Sequence, residues 1–409
     1  MTSAQVAGTE LATALLAGAR ARQDAMVAHL TMLAEMESPS ADPRAQQPLL
    51  DHLQAELSAR GMRVVRRAGA NTGGYLVGAA ASGPAWPYGL LVGHVDTVWP
   101  TGTLADRPVV LDGPVLHGPG TYDMKAGLVQ ALTALDLITE VGRTPEVTPV
   151  VLVNSDEEIG SRESTPAIRA LSEHADRVFV LEPSLGRDGA LKTARKGLGR
   201  YTVTVHGKAA HAGLDPTAGA SAILELSAVI QALFALNDHD RGVTVNVGMV
   251  SGGIQPNVIA PESSAVIDVR VLTSADAEEI DQKIRSLTSS TPGTSLTVEG
   301  GMGRPPLERT PRNAALLEHA LDVAADMGLH LPEATAGGGS DGNTASQVAP
   351  TLDGLGAVGD GAHAEHEHVD VPGWVDRAAL LAALLLLPPL RQVRDAPDAV
   401  DPLSLVPEP

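Results

Sequence analysis

The 409-residue sequence contains no cysteine, and this absence removes several kinds of chemistry at once. Disulfide bonds, thiolate metal ligands and thiol nucleophiles are all excluded. Any metal site in this protein must therefore use histidine, aspartate and glutamate side chains. Aromatic residues are also scarce, at 2% of the chain, so a substrate pocket that stacks a large ring is not expected.

Basic residues and long apolar runs are likewise few. The chain has 29 lysines and arginines against 49 acidic residues, a formal charge of −20 that disfavours binding to nucleic acid and to anionic membrane surfaces. Apolar stretches such as 378–387 are too short to cross a bilayer. Glu10 and Arg20 interrupt the first thirty residues, so no signal peptide is predicted and a cytoplasmic protein is expected.

The chain is long for a single hydrophobic core, and its patterns predict two domains. Short apolar runs alternate with helical stretches from residue 89 onward, which predicts an α/β domain with a mainly parallel sheet. Four strand patterns and two helix patterns then predict an inserted α+β sandwich. The predicted boundaries are 1–195 and 306–393 for the larger domain, 196–305 for the insert and 394–409 for a disordered tail.

Acidic residues and a histidine follow the predicted parallel strands. His94 and Asp96 come after the apolar run at 90–92, Glu157 and Glu158 after the run at 150–153, and Glu182 after the run at 178–181. In open α/β sheets, ligands bind outside the carboxyl ends of the strands. These side chains are therefore expected to meet at one edge of the sheet.

Two further candidates lie in loops. Asp123 precedes a helix predicted over 125–141, where a simple helix cap is the alternative role. His363 lies in the segment 362–368, which also contains two other histidines and Glu367. For that segment a solvated acidic loop is the alternative, and the sequence alone leaves open which imidazole binds.

Imidazole and carboxylate ligands without thiolate suit Zn²⁺, with Co²⁺ or Mn²⁺ as substitutes. The candidates outnumber the ligands that one catalytic ion needs, so a pair of ions is expected. The chain contains no His-Glu-x-x-His motif, which argues against a single-metal zinc peptidase of that type.

Motifs around these residues occur in order along nearly the whole chain. They read Gly-His-Val-Asp-Thr-Val at 93–98, Gly-Pro-Gly-Thr-Tyr-Asp-Met-Lys at 118–125, Ser-Asp-Glu-Glu-Ile-Gly-Ser at 155–161, Leu-Glu-Pro-Ser at 181–184, Lys-Gly at 196–197, Gly-Lys-Ala-Ala-His-Ala-Gly at 207–213, Gly-Gly-Ile-Gln-Pro-Asn-Val at 252–258 and Asp-Val-Arg at 268–270. The ordered set resembles the M20 metallopeptidase family, and within it most closely the glutamate carboxypeptidase type.

This resemblance implies a zinc-peptidase catalytic domain whose inserted sandwich acts as a lid and dimerisation domain. It also implies two Zn²⁺ ions per subunit. Asp123 would bridge the ions, His94 and Glu182 would complete one site, and Glu158 and His363 would complete the other.

The resemblance assigns further roles next to these ligands. Asp96 would orient the His94 ring and raise its basicity, as carboxylates behind metal-bound imidazoles do. Glu157 would be the general base. The peptide bond between Asp123 and Met124 is expected to be cis.

The insert is expected to supply contacts to the substrate. His211 would stabilise the oxyanion of the reaction, with an ordinary surface histidine as the alternative. Arg270 and Asn257 would grip a substrate carboxylate, and a structural salt bridge is the alternative for Arg270. The glycine-rich loop that contains Gly338 is placed on the substrate side.

Together these features predict a hydrolase that cleaves an amide or peptide bond beside a free carboxylate. Its substrate would be a small peptide, with release of a C-terminal amino acid such as glutamate, and the protein would be a homodimer paired through the insert. An N-acyl-amino-acid deacylase of the same fold is the alternative, and a non-catalytic dimeric binding protein is a further one.

Overall fold

The computed structural model describes residues 3–81, 87–390 and 400–407. Within these residues the α-helices, in chain order, are α1 (Ser3–Ala21), α2 (Gln23–Glu35), α3 (Gln47–Ala59), α4 (Thr103–Asp106), α5 (Ala126–Glu140), α6 (Thr165–His174), α7 (Ala222–Phe234), α8 (Ser274–Arg285), α9 (Pro311–Asp326), α10 (Asp341–Ala345) and α11 (Val371–Leu385). The strands are β1 (Met62–Arg67), β2 (Tyr75–Ala80), β3 (Tyr88–His94), β4 (Val110–Asp112), β5 (Val115–His117), β6 (Thr148–Asn154), β7 (Arg177–Val180), β8 (Leu191–Arg195), β9 (Gly197–His206), β10 (Thr244–Gly252), β11 (Glu262–Val271), β12 (Ser295–Arg304), β13 (Glu333–Ala336), β14 (Thr351–Leu352), β15 (Gly359–Asp360) and β16 (His368–Asp370).

The main sheet has six strands in the order β1-β2-β6-β3-β7-β14. The strands from β6 to β14 pair in parallel, whereas β1 and β2 are antiparallel additions at one edge. The prediction of an α/β protein with a mainly parallel sheet is therefore confirmed. A small four-stranded sheet, β15-β16-β5-β4, lies in the same part of the chain.

Both faces of the main sheet are buried, which explains why its strands are almost continuously apolar. Alternate residues point to opposite faces. Leu91 and Phe179 join the core formed with α1, α5 and α11. Leu90 and Val178 join a second core formed with α6. Helices thus cover the sheet on both sides and leave its carboxyl-end edge for the functional groups.

The chain divides into two compact units. The larger unit comprises residues 1–193, 309–335 and 340–409, and the smaller comprises 194–308 and 336–339. The smaller unit contains the antiparallel sheet β10-β11-β9-β12 together with α7 and α8, as predicted for an α+β sandwich. Side chains of β9 alternate between its core and its surface, with Tyr201, Val203 and Val205 fully buried.

Two boundary predictions need correction. Residues 336–339, which the sequence assigned to the larger domain, group with the smaller unit because backbone carbonyls in this segment accept hydrogen bonds from Arg195 and Arg270. Part of the predicted disordered tail is ordered: Pro402–Leu405 forms a short helix, and Asp401 pairs with Arg63 at 2.9 Å. The rest of that tail, 394–399 and 408–409, lies outside the described residues. No described helix is both long enough and apolar enough to cross a membrane.

Candidate metal centre

The carboxyl ends of three adjacent parallel strands bring the predicted ligands together. His94 ends β3 and stands opposite Asn154, the last residue of β6. The segment after β6 carries Glu157 and Glu158, and Glu182 follows β7 on the other side of β3. Because β3 lies between β6 and β7, the side chains that follow all three strands converge on one point.

Asp123 reaches the same point from a distorted helical turn, Thr121–Lys125, immediately before α5. The peptide bond between Asp123 and Met124 is cis, as predicted. The turn begins after Gly120, which has a φ of 69°, a conformation that glycine adopts without steric cost. Helix α5 approaches the Glu182 segment so closely that a β-carbon on Gly127 would lie 2.2 Å from the Leu181 carbonyl oxygen.

The two oxygens of Asp123 face two different histidines. Oδ1 lies 3.5 Å from Nε2 of His94, and Oδ2 lies 3.5 Å from Nε2 of His363. His94 Nε2 is also 3.4 Å from an oxygen of Glu182, and His363 Nε2 is 2.9 Å from an oxygen of Glu158. The geometry therefore forms two ligand groups that share one carboxylate.

The donor atoms fit divalent ions. Two ligands about 2.0–2.2 Å from a tetrahedral ion are separated by roughly 3.3–3.6 Å, which matches three of these four distances. His94 Nε2 and Glu158 Oε1 are buried without a hydrogen-bond partner among the described residues. Buried polar atoms without partners are costly, and metal coordination would satisfy both.

The electrostatics of the site also favour cations. Burial alone would lower the pKa of His94, but Asp123, Asp96 and Glu182 raise it well above its usual value. Burial raises the pKa of Glu158 to about 6, and the hydrogen bond from His363 to Glu158 raises the pKa of His363 to about 9. Metal binding has to displace such protons, so metal affinity is expected to fall as the pH falls.

Asp96 is completely buried and contacts both the His94 ring and the Glu157–Glu158 backbone. Nδ1 of His94 lies 3.0 Å from the backbone carbonyl oxygen of Asp96 and 3.4 Å from its Oδ1. The two carboxylate oxygens of Asp96 accept hydrogen bonds from the backbone N–H groups of Glu157 and Glu158. Burial alone would raise the pKa of Asp96, but its interaction with His94 keeps that pKa below the usual value. Asp96 thus contacts the His94 ring through its backbone carbonyl and its carboxylate, and its carboxylate also holds the segment that carries Glu157.

Sequence reasoning did not identify the role of Glu367. Its side chain accepts hydrogen bonds from the backbone N–H groups of Gly120, Tyr122 and Asp123 and from the indole of Trp99. Burial raises the pKa of Glu367, whereas these donors lower it. This residue therefore holds the loop that presents Asp123. The only sequence signal was its place in the histidine-rich segment 362–368.

The other histidines of that segment lie elsewhere. The ring of His368 is 5.4 Å from that of His117 and 6.4 Å from that of His366. Neither forms an ion pair with Asp123 or Glu158 among the described residues, as His363 does. Of the three imidazoles, His363 is the one that faces Asp123 and Glu158.

Glu157 also reaches the centre. One of its carboxylate oxygens lies within 4.8 Å of ligand atoms of both His94 and Glu182. Glu157, His94 and Glu182 together form a group whose atoms could hold a metal ion, so this position suits either metal coordination or the predicted proton transfer.

In the smaller unit, His211 is exposed and held by its own loop. Its Nδ1 accepts hydrogen bonds from the backbone N–H groups of Gly213 and Leu214, both at 3.1 Å. A neutral imidazole that accepts at Nδ1 carries its proton on Nε2. Nε2 is therefore a hydrogen-bond donor, the role that an oxyanion contact requires.

The other candidates of the smaller unit have local partners. Arg270 forms an ion pair with Asp268 at 2.9 Å, so the structural salt bridge considered for it is present, yet its side chain remains 37% exposed. It also donates a hydrogen bond to the Gly337 carbonyl, and the next carbonyl, that of Gly338, accepts one from Arg195. Asn257 is exposed, and its backbone carbonyl accepts a hydrogen bond from the N–H of Ala212, next to His211.

The sequence is similar to those of known peptidases and deacetylases. The sequence model of peptidase family M20/M25/M40 matches residues 90–387. Carboxypeptidase G2 of Pseudomonas sp. (strain RS-16) is 30% identical over 398 residues, which cover 95% of each chain. Acetylornithine deacetylase of Myxococcus xanthus is 31% identical over 64% of this chain and 71% of its own length.

The fold is also found among solved structures. The crystal structure of aminopeptidase PepT from Bacillus cereus ATCC 10987 superposes with a TM-score of 0.72 at 21% identity, over 89% of this chain and 98% of that one. At this level of identity the likeness establishes a shared fold.

Proposed function

The chain belongs to peptidase family M20/M25/M40, and from this premise we propose that it is a two-zinc carboxypeptidase, which releases a C-terminal amino acid such as glutamate. Its scissile amide or peptide bond would lie beside a free carboxylate. Co²⁺ or Mn²⁺ would be able to replace zinc, since the ligands are imidazole and carboxylate groups.

The observation that carries this proposal is the position of Asp123 between two histidines. Each of its oxygens faces a different imidazole at 3.5 Å, and each imidazole has a further carboxylate beside it, Glu182 or Glu158. One carboxylate shared by two ligand groups is the arrangement that a pair of ions needs. Two bound ions would polarise the scissile carbonyl and lower the pKa of an attacking water.

The protein's own residues would supply the proton transfers and the binding contacts. Glu157 would accept the proton of the attacking water and deliver it to the leaving amine. His211 would donate a hydrogen bond from its Nε2–H to the developing oxyanion and keep its proton. Arg270 and Asn257, with the loop at Gly338, would bind the substrate carboxylate. Arg270 would do so through the part of its guanidinium that Asp268 leaves exposed.

A deacylase that acts on N-acyl amino acids is the second candidate. It is favoured by the 31% identity to acetylornithine deacetylase and requires the same metal centre. The two activities differ in the group on the acyl side of the scissile bond, which is an aminoacyl residue in a peptide and a simple acyl group in an N-acyl amino acid. They are therefore distinguished by substrate rather than by mechanism.

Dipeptides and N-acyl amino acids should therefore be incubated with the zinc-loaded protein and scored for free amino acid. We expect cleavage of dipeptides with C-terminal glutamate, two ions per chain by elemental analysis, and loss of activity with a chelator. Cleavage of N-acyl amino acids alone would identify a deacylase. Binding without turnover would identify a non-catalytic protein, and one ion after full reconstitution would contradict the shared site.

We also propose that the protein is a homodimer paired through the smaller unit. Strand β10 is an edge strand whose outer side has no partner strand in the described chain. Apolar side chains on this unit are strongly exposed, among them Leu224 (61%), Met249 (69%) and Val250 (59%). A second copy of the same surface would cover these residues and pair the free edge.

In such a dimer His211 would act on the partner's metal centre. The variants His211→Ala and Glu157→Ala, each inactive alone, should be unfolded and refolded together. If His211 acts in the partner, a mixed dimer has one complete site, and about a quarter of the wild-type activity should return. If the mixture forms dimers and stays inactive, His211 acts within its own chain.

A further inference from the structure

The segment 36–40 follows α2 and has no role in the reaction proposed above. Its backbone pairs with the chain that continues β3. The Thr97 N–H donates to the Ser38 carbonyl at 2.9 Å, and the Ser40 N–H donates to the Thr97 carbonyl at 3.1 Å. These bonds form a parallel bridge, so the segment lies as a short extra strand beside the residues that follow the end of β3.

The same segment is tied to two other elements that carry predicted ligands. Gln46, which is fully buried, donates from Nε2 to the Pro39 carbonyl at 3.0 Å and to the Ser155 carbonyl at 3.1 Å. Ser155 belongs to the loop after β6. Lys125, at the end of the distorted turn before α5, donates to the Met36 carbonyl at 2.8 Å. The chain after β3, the loop after β6 and the turn before α5 therefore all contact one short segment.

Ser40 is the residue of this segment whose side chain reaches a carboxylate of the metal centre. Its Oγ donates to Oδ2 of Asp96 at 2.7 Å, and both residues are buried. The backbone carbonyl of Thr97 is the competing acceptor, at 3.3 Å. A hydroxyl has one proton to donate, and the shorter contact to a charged oxygen is the stronger of the two. The Ser40 proton is therefore assigned to Asp96.

That hydrogen bond acts on the carboxylate that holds the segment 157–158. The Asp96 oxygens accept from the N–H groups of Glu157 and Glu158, both at 3.1 Å, and Glu158 shares Oδ2 with Ser40. A carboxylate group rotates as one unit, so a donor that fixes Oδ2 also fixes Oδ1. Ser40 thus sets the direction in which Asp96 presents its oxygens to the segment with the predicted general base.

Ser38 offers a comparison within the same segment. It is also buried, and its Oγ donates to the backbone carbonyl of Val95 at 2.6 Å. That carbonyl belongs to a neutral peptide group, whereas Ser40 contacts a charged carboxylate, and hydrogen bonds to charged groups are stronger. Ser38 therefore fastens the segment to the backbone, and Ser40 acts on Asp96.

We propose that Ser40 is a positioning residue of the metal centre, which acts through Asp96. Its hydroxyl fixes the Asp96 carboxylate, and that carboxylate holds the segment 157–158 and contacts the His94 ring. Carboxylates behind metal ligands keep those ligands in place before the ion binds. The inference rests on the proposed function only in that the centre binds divalent ions, and it holds whichever amide bond is cleaved.

The test compares Ser40→Ala with Ser38→Ala, because each variant removes one buried hydroxyl from the same segment. Both should lower the melting temperature of the metal-free protein. Zinc affinity, measured by competition with a chelator, should fall about tenfold in Ser40→Ala and change less than about twofold in Ser38→Ala. At saturating zinc, Ser40→Ala should lower kcat and leave KM unchanged, since Glu157 loses its support and the substrate contacts do not. Ser40→Thr keeps the hydroxyl and should restore both zinc affinity and kcat.

Equal losses of zinc affinity in the two alanine variants would overturn the proposal, because both serines would then only stabilise the segment. A crystal structure of the zinc-loaded wild-type protein tests the same point without a variant. A Ser40 hydroxyl within hydrogen-bonding distance of Asp96 supports the proposal, and one turned to the Thr97 carbonyl overturns it. A wild-type protein that binds no zinc would overturn the proposed function as well. Zinc binding and turnover with equal alanine variants would overturn this inference alone.

Discussion

The two compact units hold their candidate functional groups in opposite ways. In the larger unit, His94, Asp123, Glu158 and Glu182 have side chains that are at most 13% exposed. Buried carboxylates, Asp96 and Glu367, hold the segments that carry them. In the smaller unit His211 and Asn257 are exposed, and the backbone contacts that hold them lie within and between their two loops.

This difference reflects what each set of residues has to do. Metal ligands must be arranged before the ion arrives, because a displacement of a fraction of an ångström weakens the site. Side chains that bind and release a substrate must remain reachable, and so they cannot be buried in the free protein. His363 is intermediate, since its side chain is 52% exposed although it faces Asp123.

The largest effect is expected from Glu157→Gln. This variant tests whether the buried centre of the larger unit can lose catalytic activity while it still binds its metal ions. Loss of a general base should lower kcat by about 10²- to 10⁴-fold. Metal content, measured by elemental analysis, should stay unchanged because Glu157 is not predicted to be a ligand. A variant that binds one ion fewer would show that Glu157 is a ligand instead.

A smaller effect is expected from Glu367→Gln. This variant tests whether the Glu367 carboxylate stabilises the loop that carries Asp123 in the larger unit. The amide keeps the shape of the carboxylate but loses acceptor capacity for the loop around Asp123. Metal affinity, measured by competition with a chelator, should fall about 10- to 100-fold. The exposed neighbour Glu365 provides the control, and Glu365→Gln should behave like the wild type. If both variants bind metal with the same affinity, Glu367 does not stabilise the metal site.

Arg270→Met tests whether an exposed side chain of the smaller unit binds the substrate. Loss of a charged hydrogen bond to a substrate carboxylate should cost about 1.5–3 kcal/mol, which is roughly a 10- to 100-fold rise in KM. Metal content should not change. Arg200→Met, on the exposed side of β9, is the matched control. If Arg270 serves only its ion pair with Asp268, the variant should lose stability and keep its KM.

The smallest effect is expected from a matched pair in the two cores, Ile168→Val and Ile267→Val. Both isoleucines are fully buried, the first beside the main sheet and the second in the smaller unit. Each change should destabilise its own core by about 1 kcal/mol. Hydrogen exchange should accelerate in β3 and β6 for the first variant and in β9 and β11 for the second. If either variant accelerates hydrogen exchange in both sheets, the two cores do not unfold independently.

The sequence predicted much of the metal centre because local patterns contain the necessary information. An apolar run that ends in acids or a histidine predicts a parallel strand that delivers ligands to one edge of a sheet, as found for His94, Glu158 and Glu182. The ordered motifs added Asp123 and His363 by resemblance. The roles of all five residues stay predictions until the variants and the metal content are measured.

Contacts between distant segments could not be predicted in this way. Glu367 binds the N–H of Asp123 across 244 residues of sequence, and Ser40 donates to Asp96 across 56. The ordered segment 400–407 was missed because its few apolar residues have no periodicity of their own and become meaningful only against the core they cover.

The sequence by itself thus determined the family, the two-domain α/β and α+β architecture and the chemical types of the ligands, because strand and helix periods and residue chemistry are local properties. Only the tertiary structure decided which imidazole of the 362–368 segment faces Asp123 and which carboxylate supports the loop of Asp123. Those facts depend on where segments far apart in the chain meet, and burial sets the strength of each interaction only once they have met.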